Sequence, residues 1–337
     1  MQMCAASLAG ATSLREGNAS GADSAIAAAL REVSPARIQA NIEKLVSFHT
    51  RSTLSAAALA KGQGIGAARE WIRSEFERDS QACGGCLEVK TEAYVEPSAD
   101  GAAKPVEIVD VYAVLRGSGG EEAKRIVLVT GHYDSRDSDD LDTSGAAPGA
   151  NDDASGTAVS LECARVLSQH KFPATIIFLT VAGEEQGLYG SAHFAKMAKE
   201  HGWQIEAVLN NDIVGGDRSA GQKPDTVRVF SEGVPLAASD GELSRMRGLG
   251  GENDSPSRQV ARYIAETAKE YATGVSPMLI FRLDRYLRGG DHSAFNRQGF
   301  AGVRLTEYRE NYNHQHQNVR TEHGVEYGDL AKFVDFD

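Results

Sequence analysis

Short apolar runs alternate with longer amphipathic stretches along most of this chain. The runs expected to form strands cover 106–117, 125–135, 174–183, 205–212, 226–230 and 301–307. The stretches with apolar residues at helical spacing cover 65–80, 154–170, 188–202 and 257–272. Residues 215–257 are otherwise rich in Gly, Ser, Asp and Arg and are expected to be loops. Because strands that alternate with helices form a sheet covered on both faces, this order predicts a three-layer α/β/α sandwich.

The N-terminal part of the chain is expected to divide into two. Residues 1–33 are rich in small residues in their first part and are expected to be a flexible or processed segment. A helix is predicted after Ser34, a capping residue that is followed by Pro35 at a first helical position. Since no repeat or linker interrupts the remainder, residues 34–337 are expected to form one domain.

Acidic residues outnumber basic ones and give the 337-residue chain a formal net charge of -12. Such a surface repels phosphates, so neither nucleic acid nor an anionic membrane is an expected partner. No apolar run is long enough to span a bilayer. The spacing of Cys83 and Cys86 suits a small-loop disulfide, a redox pair or half of a zinc site. We favour a local disulfide in an exported protein, which predicts a periplasmic or secreted location.

Polar side chains follow the predicted strands at the points where the strands end. In open α/β sheets ligands gather beyond the carboxyl ends of the strands, so these side chains are the first candidates for a functional site. They are His132, Tyr133, Asp134, Glu184, Glu185, Asn211 and Asp212, together with Asn151, Asp152 and Asp153 in a Gly-flanked loop, and His314 and His316 after the last strand.

This mixture of imidazoles and carboxylates has the chemistry of a metal site. Zinc takes such ligands, and an acid-rich set fits two metal ions bridged by one carboxylate. Without a cation, packed carboxylates would repel one another and raise one another's pKa values. Each motif alone has a simpler explanation, because Asn and Asp often cap helices. Their recurrence at successive strand ends favours a shared metal site.

The motifs GHYDS, PGANDDASG, AGEEQGLYGS, NND and GGDHSAF occur in this order. In these motifs the chain resembles the co-catalytic zinc aminopeptidases of the M28 type over roughly residues 106–321, and its N-terminal helices are similar to those of secreted bacterial members. The resemblance implies a mixed, mostly parallel sheet between helices and two zinc ions per chain. It also implies that one zinc is bound by His132 and Asp212 and the other by Glu185 and a C-terminal histidine, with Asp152 bridging both.

The resemblance implies further roles around this metal pair. Asp134 would orient His132 from behind and fix its tautomer. Glu184 would be the general base, which takes a proton from the bridging water and passes it to the leaving amine. Asp291 and His292, in a segment similar to the substrate-pocket wall of the family, would contact substrate or cap a helix.

The last metal ligand departs from the family pattern. The family commonly has His-Thr-x-x-Asp-Thr there, whereas this chain reads NHQHQNVRT. With His316 as the ligand, Thr321 aligns but Arg320 stands in the place of the acid. With His314, Asn318 takes that place. We lean to His316 and keep both as candidates.

The predicted activity is hydrolysis of the N-terminal peptide bond of a peptide with a free N-terminus, which would be the partner. A carboxypeptidase-like hydrolase stays open, because Arg282, Arg285 and Arg288 offer cations for a terminal carboxylate. A glutaminyl cyclase is disfavoured, since cyclases tend to use one zinc. A non-catalytic binding module that retains the fold is a third alternative. Relatives that have lost catalysis usually also lose metal ligands, whereas here every metal-ligand position is filled.

Overall fold

The computed structural model describes residues 23–57, 61–97, 105–271, 274–286 and 288–336. Its main sheet contains β1 (Leu87–Glu96), β2 (Val106–Leu115), β3 (Arg125–His132), β4 (Thr175–Val181), β5 (Gln204–Asn211), β6 (Thr226–Ser231), β7 (Ser276–Ile280) and β8 (Gly302–Glu307). The strand order is β1-β2-β4-β3-β5-β8-β6-β7. Four neighbouring pairs are parallel (β3–β4, β3–β5, β5–β8 and β6–β7) and three are antiparallel. The expected mixed, mostly parallel sheet is therefore confirmed. A small hairpin, β9 (Arg320–Glu322) and β10 (Val325–Tyr327), stands apart from it.

Helices cover both faces of this sheet. They are α1 (Ser24–Glu32), α2 (Pro35–Val46), α3 (Gly64–Ala82), α4 (Ala154–Leu167), α5 (Tyr189–Glu200), α6 (Asp240–Leu249), α7 (Pro256–Glu270) and α8 (Asp291–Arg297). Helices α1 to α4 and α7 contribute to the core on one face, and α5 and α8 contribute to a second core on the other face. This arrangement confirms the three-layer sandwich.

The central strands are buried on both sides, which explains their sequences. Every residue of β4 and of β8 is buried. A strand covered on both faces reads as a near-continuous apolar run rather than as an alternating one. Each large apolar side chain buried there contributes roughly 1.5–3 kcal/mol to the stability of the fold. The sheet is thus a rigid base for the residues that follow its strands.

The structure differs from the sequence prediction in its less apolar parts. Residues 24–32, expected within the flexible or processed segment 1–33, form α1 and bury three apolar side chains, so this part belongs to the core. The earlier part of that segment lies outside the described residues. Within 215–257, expected to be loops around one strand, α6 forms without burying any residue. A capping box between Ser239 and Glu242 stabilises its first turn.

Cys83 and Cys86 form a disulfide just after α3, which is the first of the three alternatives open for this pair. Over the described parts of the chain, we find no helix with both the length and the apolar character needed to cross a bilayer.

Candidate metal centre

The carboxyl ends of three neighbouring strands bring the site together. His132 is the last residue of β3, Asp212 directly follows β5, and Glu184 and Glu185 lie in the turn between β4 and α5. Because β3 lies between β4 and β5 and is parallel to both, these side chains meet at one edge of the sheet. Asp152 joins them from the loop that precedes α4.

The first metal cluster consists of His132, Asp152 and Asp212. Nε2 of His132 is 3.1 Å from Oδ1 of Asp152 and 3.9 Å from Oδ1 of Asp212. All three residues are buried, and their ligand atoms lie within 4.8 Å of one another. Nε2 of His132 has no hydrogen-bond partner within the described structure. An imidazole and two carboxylates thus converge without satisfying one another.

The second metal cluster consists of Asp152, Glu185 and His316. Nε2 of His316 is 3.0 Å from Oδ2 of Asp152 and 2.9 Å from Oε2 of Glu185. Oε1 of Glu185 is buried and has no hydrogen-bond partner among the residues described. The two carboxylate oxygens of Asp152 therefore belong to different clusters. The donor set fits zinc, which binds imidazole nitrogen and carboxylate oxygen in sites of this kind.

His314, the other candidate for the last ligand, belongs to neither metal cluster. Its Nδ1 is paired with the carboxylate of Asp217. Its ring stacks on Phe333, with the ring centroids 3.7 Å apart. The structure therefore brings His316, and not His314, to Asp152 and Glu185.

Asp134 connects both metal clusters from behind. Its Oδ1 is 3.4 Å from Nδ1 of His132, and its Oδ2 accepts hydrogen bonds from Oγ1 of Thr53 and the backbone N–H of Glu185 at 3.1 and 3.2 Å. A carboxylate behind a metal-binding imidazole fixes the orientation of the ring. Here the same carboxylate also holds the turn of Glu184. Thr53 was missed by the sequence analysis, because a lone Thr in a short upstream 3-10 helix gives no pattern.

The loop that carries Asp152 is held by further residues that sequence reasoning missed. Arg51 is fully buried and donates to two backbone carbonyls of this loop. Asp329 accepts the backbone N–H of Asp152 at 2.6 Å, and Gln315 donates from Nε2 to Oδ2 of Asp152 at 3.0 Å. Asp153, joined to Asp152 by a cis peptide bond, caps α4. The carboxylate of Asp152 is thus fixed through both its backbone and its side chain.

The pKa values show how strongly these charges interact in the metal-free protein. Burial opposes the charged form of His132, but Glu184 and the carboxylates bonded to the ring outweigh it and raise the pKa well above its usual range. Burial likewise opposes the charge on His316, but Glu185 and Asp152 raise its pKa to about 11. In the metal-free protein the surrounding carboxylates therefore favour the charged, protonated form of both imidazoles. A bound metal ion would have to replace those protons.

Glu184 lies beside the metal clusters without belonging to either. Within the described structure, its carboxylate accepts no hydrogen bond, and its backbone N–H is 3.4 Å from Oδ1 of Asp134. Burial raises the pKa of Glu184 well above its usual range. A carboxylate with a raised pKa and no fixed partner has the properties of a proton acceptor.

Asp291 and His292 begin α8, after the N-cap residue Gly290, and both are fully buried. Nε2 of His292 donates to the backbone oxygen of Leu283 at 2.8 Å, and burial lowers the pKa of His292 to about 3. Burial raises the pKa of Asp291 to about 7. Neither side chain reaches the solvent.

The fold and the two overlapping metal clusters define an α/β protein with a candidate centre for paired metal ions. The model of peptidase family M28 matches residues 110–333, well over half of the chain. A protein of Leptosphaeria maculans named "Probable zinc metalloprotease" is 49% identical over 92% of this chain. The chain therefore belongs to peptidase family M28. It spans 72% of that relative's length and 65% of a relative with the same description from Pyrenophora teres f. teres, to which it is 48% identical.

Solved structures share the fold at low sequence identity. The LapA aminopeptidase of Legionella pneumophila is 21% identical, with a TM-score of 0.63 over 96% of this chain and 74% of that chain. The glutaminyl cyclase of Porphyromonas gingivalis is 19% identical, with a TM-score of 0.56 over 90% of this chain and 92% of that chain. Because one fold carries both activities, the activity of this chain has to be argued from its site.

Proposed function

We propose that this chain is an aminopeptidase that holds two zinc ions and hydrolyses the N-terminal peptide bond of a peptide. The observation that carries the proposal is the position of Asp152, which gives one oxygen to the cluster of His132 and Asp212 and the other to the cluster of Glu185 and His316. Membership of a peptidase family supports a peptide as the substrate.

The chemistry follows from the arrangement of the chain's own groups. Two zinc ions, when bound, would polarise the scissile carbonyl and lower the pKa of a water molecule. Glu184 accepts the proton of the attacking water and donates it to the leaving amine. Its raised pKa helps, because a carboxylate of ordinary pKa is a weaker base and accepts a proton from water less readily. Asp134 keeps both His132 and the turn of Glu184 in position.

The surroundings of the site support an amine-terminal substrate over a carboxyl-terminal one. Arg285, one of three arginines considered for binding a carboxylate, is paired with Glu310 and nearly buried. The guanidinium groups of Arg282 and Arg288 lie 3.8 and 4.8 Å from the ring centroids of tyrosines. Glu184 belongs to neither metal cluster, so its carboxylate is left to attract a free α-amine.

The first test replaces Glu184 by Gln, which keeps the shape of the side chain and removes the base. We expect hydrolysis of aminoacyl-nitroanilides to fall by roughly 10²–10⁴-fold. Zinc content by elemental analysis should stay at two ions per chain, because Glu184 binds no metal in this proposal. Glu200→Gln, at the exposed end of α5, is the matched control and should change neither quantity.

Substrate panels separate the competing activities. Free-amine substrates should be hydrolysed and their N-acetylated counterparts should not. Cleavage of blocked peptides from the carboxyl end would show that the activity is that of a carboxypeptidase and not of an aminopeptidase. Near-normal turnover by E184Q would show that Glu184 is not the general base.

A further inference from the structure

Arg304 is a buried cation directly behind the first metal cluster. It lies in β8, where its side chain is fully buried. Its Nη2 is 2.7 Å from Oδ1 of Asp212, the oxygen that faces His132 in that cluster. Its Nη1 donates to the backbone oxygen of Gly289. A full positive charge is therefore paired with one of the carboxylates that would bind metal.

The backbone at Gly290 packs closely against this ion pair. A Cβ atom at Gly290 would lie 2.9 Å from Oδ2 of Asp212 and 3.0 Å from Nη1 of Arg304. The backbone at Gly290 thus closes directly over the pair. Arg285 adds a second positive charge nearby, but it is itself paired with Glu310.

Among the described residues, the second metal cluster has no ion pair comparable to that of Arg304 with Asp212. The nitrogen of His316 faces Oε2 of Glu185 and Oδ2 of Asp152, and Oε1 of Glu185 is unpaired among the described residues. The donor that contacts Oδ2 of Asp152 from outside the cluster is the neutral amide of Gln315. No Lys or Arg in the described chain forms an ion pair with Glu185. The two clusters therefore have similar ligands, but among the described residues only the first has a carboxylate paired with a cation from outside the cluster.

We propose that Arg304 makes the site of His132 and Asp212 the weaker of the two metal sites, so that the site of Glu185 and His316 fills first. This inference rests on the two-zinc function proposed above. A carboxylate shared with a guanidinium offers less charge to a cation, and the guanidinium repels a divalent ion. Burial makes both effects large, because solvent screens them little.

The test is a zinc titration of the metal-free protein by calorimetry, with wild type beside R304M and R304K. We expect two dissociation constants for wild type. In R304M the weaker one should tighten by roughly tenfold or more. R304K keeps the charge and should bind zinc nearly as wild type does.

R258M is the matched control. Arg258 is also a buried arginine, but its guanidinium contacts backbone oxygens and the hydroxyl of Ser231 rather than a carboxylate. Its replacement should leave both zinc affinities unchanged. Unchanged or weaker binding in folded R304M would overturn the inference, because Arg304 would then merely position Asp212.

A second measurement uses the wild-type chain and does not depend on the folding of R304M. Histidine side chains labelled with ¹⁵N are followed by NMR while less than one equivalent of zinc is added, with the signal of His316 assigned from H316Q. The ring of His316 should respond before that of His132. The reverse order would refute the role of Arg304 while leaving two zinc ions in place. Binding of a single zinc would instead refute the two-zinc function.

Discussion

His316 and His314 stand two residues apart and each faces acidic side chains. Their surroundings differ in whether the carboxylate oxygens have hydrogen-bond partners within the protein. Around His316, Asp152 and Glu185 direct oxygens at one imidazole nitrogen. One oxygen of Glu185 stays without a hydrogen-bond partner in the described structure. Buried polar atoms are seldom left in this state unless a ligand, an ion or water satisfies them.

The cluster around His314 consists of His314, Asp217 and Glu307, and its members are satisfied by the protein itself. Asp217 is paired with His314 and also accepts the backbone N–H of Ser219. Glu307 accepts from Nδ2 of Asn151 and from the backbone N–H of Asp217, at 3.0 and 2.7 Å. The cavity among them measures about 10 Å³, enough for one water molecule at most.

This comparison teaches that unsatisfied oxygens, rather than the density of acidic residues, distinguish a metal site. Both groups combine one imidazole with two carboxylates. In the His314 cluster the carboxylates serve backbone and side-chain donors, so the cluster joins the loops that carry them. In the second metal cluster the same residue types leave Oε1 of Glu185 without a donor among the described residues, and a bound cation would satisfy this oxygen. Substituting the two histidines identically puts this difference to the test.

The largest effect is expected from His316→Gln. An amide in place of the imidazole is a poor zinc ligand, so zinc content should fall from two ions to one. Turnover should fall by roughly 10²-fold or more, beyond what the loss of an outer partner of a metal ligand costs. Elemental analysis and a nitroanilide assay measure both quantities. Two tightly bound zinc ions in H316Q would exclude His316 as a ligand.

The opposite result is expected from His314→Gln. Zinc content should remain at two ions, because no hydrogen bond, ion pair or ring contact joins His314 to either metal cluster within the described structure. The substitution removes the partner of buried Asp217 and the ring stack on Phe333, which should lower the free energy of unfolding by about 1–3 kcal/mol. Urea denaturation measures this loss. A loss of zinc in H314Q without a loss of stability would mean that His314, and not His316, is the metal ligand.

The elements that position the site were predictable from sequence because they are buried on both faces. The run that became β4 is apolar apart from two threonines, and β3, β5 and β8 combine buried apolar residues with a few polar or charged ones. Short, largely apolar runs between helices are typical of buried strands. Edge strand β1 was missed although apolar and polar residues largely alternate along it, the pattern of a half-covered strand. Helix α6 was missed because it buries no residue and so has no apolar face.

Within the site, residues fixed by their own strand were predictable and residues fixed by packing were not. His132 ends the buried strand β3 and Asp212 directly follows the strand β5, so the sheet sets the place of both residues. The choice between His314 and His316 depends on how a loop packs across the site, and no periodic pattern of residues in the sequence predicts this packing. Arg304 gave one usable signal, a charge within an apolar strand, but its pairing with Asp212 exists only in three dimensions.

The smallest effect is expected from Glu307→Gln, which probes the His314 cluster by pH. Burial raises the pKa of Glu307 from 4.5 to about 8 in the folded chain. Between these values the folded state binds a proton that the unfolded state does not, so the free energy of unfolding falls as the pH rises. The Gln amide cannot titrate, and its oxygen can accept both donors, because both now contact the single oxygen Oε2.

Metal-free wild type should therefore lose stability relative to E307Q between pH 5 and pH 6.5, by roughly 2 kcal/mol. Urea denaturation of both proteins across this range measures the difference, and the comparison cancels other groups that titrate there. E322Q, on the exposed hairpin strand β9, is the control and should run parallel to wild type. Parallel curves for wild type and E307Q would mean that Glu307 is charged when folded, and the His314 cluster would then hold an uncompensated carboxylate that a cation could bind.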